Sequence, residues 1–597
     1  MYFILTRNGV KKMFEDKFTR VLYIDLSKKS FTVRSRRDLF ERWLGGTGVG
    51  IQLLKEECPQ GTDPLSPDNT IIFSVGPLTS LYPLASKTIA IFKSPLTGNL
   101  GESHAGGRSA VSIMMAGYGA IVIKGKSDIP VYLSIFDNEV RFHDARAIWG
   151  IKDAITVGKI IRQRETFSGQ RSIMRIGRAG ENLVRFASLN TETYRHFGRL
   201  GLGAVFGSKN LKAVVIAGKR TINLADPKAY IRVYKKLLDE TTSNLLEKYH
   251  DLGTAVNVLP LHEIGGLPIE NLNKTSYDGA KELSGENLAQ NYLGRRIACT
   301  GCPVACVHIA TFRDPHEEEK YFYKTSMIGY DYEPIYSLGT MLGIKEAKGF
   351  LKLMDKTEKL GLDAMSAGVA LAWATEMLNK NIISEKETLI KFSFGDWEKY
   401  LDGLENIVSM PNDFYKALAR GTNYASEIYG GKDFALNFGK NEMPGYHTGP
   451  ATHLGWFLGA RHSHLDNAGY SMDQNLKGNY PAPEQLVDNL IEEESNRQIL
   501  SSLVVCFFAR AIYLNFDNTI NCLKTIGIDL TKEELKELGR EIYRQKMSYK
   551  TQEGWLPSYL DLPKRIFETP APFGKISEEY MKKAIEHFRT RLEQNFR

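Results

Sequence analysis

The sequence predicts an α+β protein: a β-rich platform over residues 1–220, followed by two mainly helical domains, 221–429 and 430–597. Strand-like apolar runs crowd into the first 220 residues, and amphipathic helical spacing dominates after them. A short motif also recurs inside the β-rich part. TIIFSVG at 70–76, TIAIFKS at 88–94, AIVIKGK at 120–126 and KAVVIAGK at 212–219 are β-branched and end near glycine or polar residues, as buried strands do. PVYLSIF at 130–136 and EVRFH at 139–143 flank Asp137-Asn138, a hairpin turn. Ala120–Lys126 matches Ala213–Lys219 at a spacing of 93 residues, which fits two related β halves. Helices are expected within 225–248, 345–360, 364–379, 409–428 and 486–513. A last one is capped by Ser577 and carries Met581, Ile585, Phe588 and Leu592 on one face.

Composition excludes several classes. With 597 residues, 43% hydrophobic and 24% charged, the chain is neither disordered nor a disulfide-stapled miniprotein. A formal charge of +8 suits an acidic partner or a phosphate-bearing ligand, and no basic-aromatic stripe points to nucleic acid. The N-terminal MYFILTRNGVKKMFEDKF has only a short apolar run, so neither a secretory signal nor a membrane span is expected, and the location expected is cytoplasmic.

The sharpest chemical signal is Cys299-Thr-Gly-Cys302-Pro-Val-Ala-Cys306, with Cys506 far along the chain. Three thiolates in eight residues can wrap one metal centre while a distant fourth closes the set, and a [4Fe-4S] cluster is the favoured occupant. Zinc uses the same sulfur count, and buried free thiols are the structural alternative. Cys522 is a weaker fourth ligand, and Cys58 reads as a small buried hydrophobe. Glycine-rich segments at 94–98, 104–108 and 198–203 can bring backbone amides against phosphate oxygens, with Arg199 supplying charge; ordinary tight turns are the alternative.

These residues together resemble the tungsten-dependent aldehyde ferredoxin oxidoreductases. KSPLTG at 93–98, AGENLVRFASLN at 179–190, GRLGLGAVFGSKNLKAV at 198–214, the Cys299–Cys306 cluster, YEPIYSLGTMLGI at 332–344 and EKLGLD at 358–363 fall in that family's order. The resemblance implies that the β-rich platform binds two pyranopterin dithiolenes around tungsten, with molybdenum as the alternative metal. It also implies magnesium between the pterin phosphates, helical domains above, and a [4Fe-4S] cluster nearby. Lys87, His104, Arg199 and Gly201 fall in the segments that contact the pterins; Glu358, Asp363 and Ser501 fall in pterin-facing motifs. Glu333, with Tyr332 beside it, aligns with the family's acidic residue at the metal, and His464 with its histidine, His462 being the alternative.

The reaction implied is aldehyde plus water to carboxylic acid. Glu333 would take a proton from water, His464 would donate to the carbonyl oxygen, and electrons would leave through the cluster to ferredoxin or an iron-sulfur-rich small subunit. The rivals are reduction of an acid or aromatic thioester at a related tungsten or molybdenum site, and a noncatalytic iron-sulfur electron-transfer module. Three departures stand out. Glu358 occupies a position where the family often has Asp, and Ser501 and Val504 occupy positions where Asp and Gly are expected. Lys352 and Asp355 replace an intersubunit metal-binding pair, so a homodimer would need another surface. The RHSHLDNAGYSMD stretch at 461–473 places the chain in a less studied branch.

Overall fold

The computed structural model describes residues 18–222, 224, 226–316, 319 and 321–596, so most of the N-terminal stretch read above for a signal lies outside the described residues. Two six-stranded sheets take their strands from between residues 20 and 218. The first holds β1 (Arg20–Asp25), β2 (Ser30–Ser35), β3 (Ile71–Ser74), β4 (Thr88–Lys93), β5 (Leu100–Ala105) and β6 (Ala120–Lys124), in the spatial order β2-β1-β6-β3-β4-β5. The second holds β7 (Val131–Phe136), β8 (Glu139–Asp144), β9 (Gln170–Arg175), β10 (Leu189–Thr191), β11 (Arg195–Phe197) and β12 (Leu211–Gly218), in the order β11-β10-β9-β12-β7-β8.

Read from the opposite end, the second order is the first with six added to every number. The pairing senses agree as well: β1 runs parallel to β6 and β7 parallel to β12, and every other pair in both sheets is antiparallel. Helices occupy matching places, Gly46–Glu57 with Ala154–Arg164 and Ser109–Ala116 with Leu202–Ser208. The motif repeated at 120 and 213 is therefore the inner strand β6 and its counterpart β12. Both are buried along almost their whole length, which is why they read as continuous apolar runs. The Asp137-Asn138 turn joins β7 to β8 with Asp137 at φ 50°.

Beyond residue 226 helices dominate. The expected helices are found at Pro227–Thr241, Ala347–Leu360, Ala364–Asn379, Pro483–Leu503 and Glu578–Glu593, the last with Ser577 accepting from the Tyr580 amide at 3.3 Å. Three expectations are corrected. The 409–428 segment is two helices, Asp413–Leu418 and Thr422–Tyr429, broken at Gly421 with φ +100°. The 486–513 segment stops at Leu503 because Val504 turns left-handed at φ 56°, which puts Cys506 in a loop. A three-stranded sheet lies within 221–429: β13 (Leu293–Ile297), β14 (Val307–Pro315) and β15 (Tyr323–Tyr330), all antiparallel. Its strands are short or polar on one side, so apolar periodicity alone did not reveal them.

Packing crosses the expected boundary near 430. The apolar core of the first sheet is completed by Ile499, Leu503, Leu523, Ile542 and Tyr549, from the 483–503 and 532–552 helices and the segment between them. Among the described residues no helix is long and apolar enough to cross a membrane.

Candidate functional site

A buried cavity of about 350 Å³ lies between the duplicated sheets and the helical part. Lys87, His104 and Arg199 of the platform line it, as do Cys299, Cys302, Cys306 and Cys506, Tyr332 and Glu333, Glu358 and Asp363, and His464. Twelve of the fifteen residues singled out in the sequence therefore meet in one space.

The cysteine end is built by a hairpin. β13 and β14 are antiparallel neighbours, and the loop between them carries Cys299, Cys302 and Cys306. Backbone bonds fix this loop to the platform, from the Thr300 amide to Gly107 O at 3.0 Å and from the Leu84 amide to Gly301 O at 3.3 Å. The Cys506 amide donates to Leu84 O at 2.8 Å, so one residue ties the distant cysteine to the other three. Burial pushes Cys302 up to about 11, with Cys506 and Cys299 adding to the shift. Burial likewise pushes Cys306 up to about 12; Cys506, Cys299 and Cys302 add to it and Arg195 opposes it. Thiols that raise one another this way are mutually close, and a bound cationic centre would reverse the effect. Among the described residues no three His, Cys, Asp or Glu side chains converge on a single-ion position. Cys522 is fully buried in the apolar core of the first sheet and does not line the cavity; Cys58 is buried there too.

The opposite end is built by β15 and the helix that follows it. Tyr330 closes the strand and Glu333 sits in the first turn of the Tyr332–Leu338 helix. The Glu333 carboxylate accepts from the Gly445 amide at 3.2 Å through Oε2, while Oε1 lies 3.4 Å from His464 Nε2 without hydrogen-bond alignment. Burial raises Glu333 to about 8, against hydrogen bonds from Gly445 and Tyr446. Burial lowers His464 to about 3, helped by Arg199, Arg461 and Arg497. At neutral pH the pair is uncharged, with the carboxyl holding the proton. His464 rides on a loop pinned by Asp466, which accepts from the Arg461 and Ser463 amides at 2.9 and 3.1 Å and from Arg461 Nε at 2.6 Å. Tyr446 stacks on Tyr470 at 4.7 Å beside this pair, and Tyr332 donates to Gly445 O.

The remaining singled-out residues divide. Asp363 caps the Ala364–Asn379 helix, accepting from the Met365 amide at 3.0 Å, and its other oxygen lies 2.9 Å from Arg199 Nε. Arg199 also donates to Glu442 O at 2.7 Å. Glu358 is buried, and burial raises its pKa well above the carboxylate range. His462, Gly201 and Ser501 do not line the cavity. The His462 ring donates from Nδ1 to Trp456 O at 3.0 Å and accepts from Lys550 at Nε2 at 3.1 Å, so both nitrogens are engaged inside the protein. Gly201 caps the Leu202–Ser208 helix at φ 83°, where a Cβ would meet Arg185 O at 2.1 Å. Ser501 packs its backbone on Gly46, whose Cβ would meet Ser501 O at 2.1 Å.

Sequence reasoning missed Arg195 and His196, which line the cavity from β11, and Tyr330, Asp331, Tyr446 and Tyr470. The first two directly precede the glycine motif at 198, which was the available signal. The tyrosines carried no motif.

Six of the lining side chains hold a buried polar atom with no hydrogen-bond partner among the described residues: Arg195 Nε, His196 Nε2, Tyr330 OH, Glu333 Oε1, His464 Nδ1 and Arg199 Nε, the last with only its ion-pair contact to Asp363. Each such orphan costs about 1–3 kcal/mol unless a ligand satisfies it. Their convergence fits a large polar ligand with both donors and acceptors, as a pair of pterins is. The four thiols fit a soft metal centre.

A duplicated β platform facing a ligand cavity, with thiolates at one end and an acid–base pair at the other, defines a cofactor-dependent oxidoreductase. The family model for the N-terminal domain of aldehyde ferredoxin oxidoreductase matches residues 21–218, and that for domains 2 and 3 matches residues 230–594. The chain belongs to the aldehyde ferredoxin oxidoreductase family, whose tungsten-containing members imply a tungsten–pterin centre. It is 33% identical over 576 residues to a tungsten-containing aldehyde ferredoxin oxidoreductase of Pyrococcus furiosus, covering 93% of this chain and 92% of the relative. An aliphatic sulfonate oxidoreductase WOR-like subunit of the same organism is 31% identical over 437 residues, covering 69% of this chain and 68% of that one. The active-site complex BamBC of benzoyl coenzyme A reductase, solved with 1,5-dienoyl-CoA, shares the fold with a TM-score of 0.77 at 21% identity, over 98% of this chain and 99% of that one.

Proposed function

We propose that this chain oxidises an aldehyde to a carboxylic acid at a tungsten bis-pterin centre and passes the electrons through a [4Fe-4S] cluster held by Cys299, Cys302, Cys306 and Cys506. The observation that carries the reading is the pairing, across one cavity, of four thiols with a Glu333–His464 pair 3.4 Å apart. Three thiols within eight residues and a distant fourth are the ligand set that a cluster uses. Lys87, His104, Arg195, His196, Arg199, Glu358 and Asp363 would hold the pterins, and magnesium would offset their phosphate charge. When bound, the tungsten centre supplies a two-electron acceptor.

The chain's own residues manage the proton and the carbonyl. His464, kept neutral by burial, donates an N–H to the aldehyde oxygen. Glu333 takes a proton from water only in its ionised form, so the rate rises with pH through about 8. Tyr446 hydrogen-bonds the carboxyl, and Tyr332 packs against Tyr446. A second reading rests on the same proton: a carboxyl still protonated at neutral pH suits delivery to a substrate, as in reduction of an acid or an aromatic thioester.

Anaerobic purification followed by measurement of tungsten, molybdenum, iron and pterin tests the reading. About one tungsten or molybdenum, about two pterins and about four irons per chain, with aldehyde-dependent reduction of a viologen dye, are expected. Iron without pterin or heavy metal would leave an electron-transfer module. Full cofactor with no aldehyde oxidation, but thioester reduction by a reduced dye, would favour the second reading.

A further inference from the structure

The four cysteines lie at the shallow end of the cavity. All four are partly exposed, and in their loop Ala298 and Gly301 are open to solvent. A Cβ built on Gly301, at φ +70°, meets nothing within 4 Å, so another molecule can approach the backbone there. The rim around this tip is specific. On one side the short helix Glu247–Asp251 is tied to the loop by His250 Nδ1, 2.9 Å from Val304 O, and carries exposed Lys248. On another, Tyr249 stacks on Phe508 at 4.3 Å, two residues beyond Cys506, with Arg510 following. On the third, β13 is an edge strand and presents Arg295 and Arg296 to solvent immediately before Cys299.

The charges of this rim are not spent inside the protein. Arg296 donates to the backbone oxygens of His250 at 2.9 Å and Asp251 at 3.4 Å, not to a carboxylate. Arg295 hydrogen-bonds Tyr194. Among the described residues no carboxylate forms an ion pair with Lys248, Arg295, Arg296 or Arg510. The exposed acids of the same rim, Glu247 and Asp251, leave the balance positive. Small residues at the tip permit a close approach, and unpaired cations around it would orient an anionic surface. Exposed Ala298 and Gly301 lie in the loop that carries three of the thiols, so this is a face from which an electron can leave over a short distance.

We propose that this rim, formed by Lys248, Arg295, Arg296 and the Ala298–Gly301 tip, is the docking surface for an acidic iron-sulfur electron carrier. The proposal rests on the reading that the four thiols hold a cluster. It goes beyond that reading by naming the surface and its charge. A cluster held by the four thiols would supply electrons singly to the docked carrier, two one-electron transfers balancing each aldehyde oxidised.

The test uses the anaerobically purified holoprotein, a purified acidic two-cluster ferredoxin and a cationic viologen dye. In Arg295→Glu/Arg296→Glu, kcat/KM for the ferredoxin is expected to fall at least about tenfold and its decline with salt to flatten, while viologen-coupled oxidation keeps the wild-type rate. Lys248→Glu, on an exposed position, is expected to act the same way more weakly, and it decides the matter if the double variant loses iron. Unchanged ferredoxin kinetics in iron-replete variants would overturn the proposal, as would a wild type that reduces viologen but not ferredoxin. Absence of aldehyde oxidation with either acceptor would instead count against the proposed activity. Titration calorimetry of ferredoxin onto the holoprotein would then still read the surface, and equal affinity in wild type and variants would overturn it.

Discussion

The two halves of the β platform share a topology and are finished in opposite ways. His104 and His196 occupy matching places: each is the penultimate residue of its edge strand, opposite Ile89 on β4 and Asn190 on β10 respectively, and each lines the cavity. His104 Nε2 is 2.7 Å from Glu102, and Glu102 is enclosed by Lys546 at 2.6 Å and Thr47 at 2.8 Å, with Arg461 at 3.9 Å. His196 has no such support; its Nε2 is unpartnered and the nearest carboxylate, Glu358, is 3.8 Å away. The difference comes from what packs outside each sheet. The 532–552 helix delivers Lys546 to Glu102 in the first half, and among the described residues the ion-pair contact of His196 in the second is Glu358 at 3.8 Å. Duplication copies the backbone, whereas later packing decides which half closes on itself and which stays open to a ligand.

The largest test of this contrast is Glu102→Gln. Burial disfavours the Glu102 charge, but Lys546, His104 and Arg461 overcome it and hold the carboxyl well below its usual range. Removing it strands the buried Lys546 ammonium, while Arg461 keeps Asp466, and a loss of about 3–5 kcal/mol in denaturant unfolding is expected. A group with a depressed pKa contributes stability above its unfolded pKa of about 4.3, and loses it as pH falls toward the folded value. Wild type should therefore lose acid stability that the variant never had. A loss below about 1 kcal/mol would mean the first half is not closed by this charge.

Glu333→Gln probes the end of the cavity that both halves serve. A fall in kcat of about 10²–10⁴-fold is expected, with unchanged iron and pterin content. The rise of wild-type activity through pH about 8 should vanish in the residual rate. A wild-type rising limb near pH 4.5, with no shift, would remove Glu333 as the base.

Gly106→Ala tests the seam between the first half and the cysteine loop. The new methyl group would meet Cys299 Sγ at 2.6 Å. Strain of about 1–3 kcal/mol and reduced iron per chain are expected, while the sheet itself stays folded by circular dichroism. His196→Ala should produce the smallest stability change, under about 1 kcal/mol in cofactor-free protein, because the ring leaves no partner behind. Its effect should appear as lower pterin retention on dialysis. His104→Ala, by contrast, should destabilise the cofactor-free chain, since Glu102 loses a hydrogen-bond partner.

Much of this was legible before any coordinate. The buried strands β6 and β12 announced themselves as matching apolar runs, and the cysteine spacing named a metal centre. The ordered family motifs brought Glu333 and His464 forward together. Both are local signals, because strand burial and thiol spacing are written in a few adjacent residues. The sheet of β13 to β15 was not legible, since its polar faces break the apolar alternation. Neither was the choice between His462 and His464, which sit two residues apart on one loop. Asp466 and Lys550 decide only which ring lines the cavity, fixing the loop and capturing the His462 ring, and Lys550 comes from a helix 88 residues away.

The sequence by itself determined most of the platform strands and the family, because each is carried by short-range pattern. Only the tertiary structure decided which polar atoms would be left without a protein partner. That outcome depends on the whole shell around each group: burial raises Glu333 and lowers His464 and His196, and a cation from a distant helix satisfies Glu102 but nothing satisfies His196. Desolvation and partner geometry are properties of packing, so the open half of the platform and the proton on Glu333 become visible only once the chain is folded.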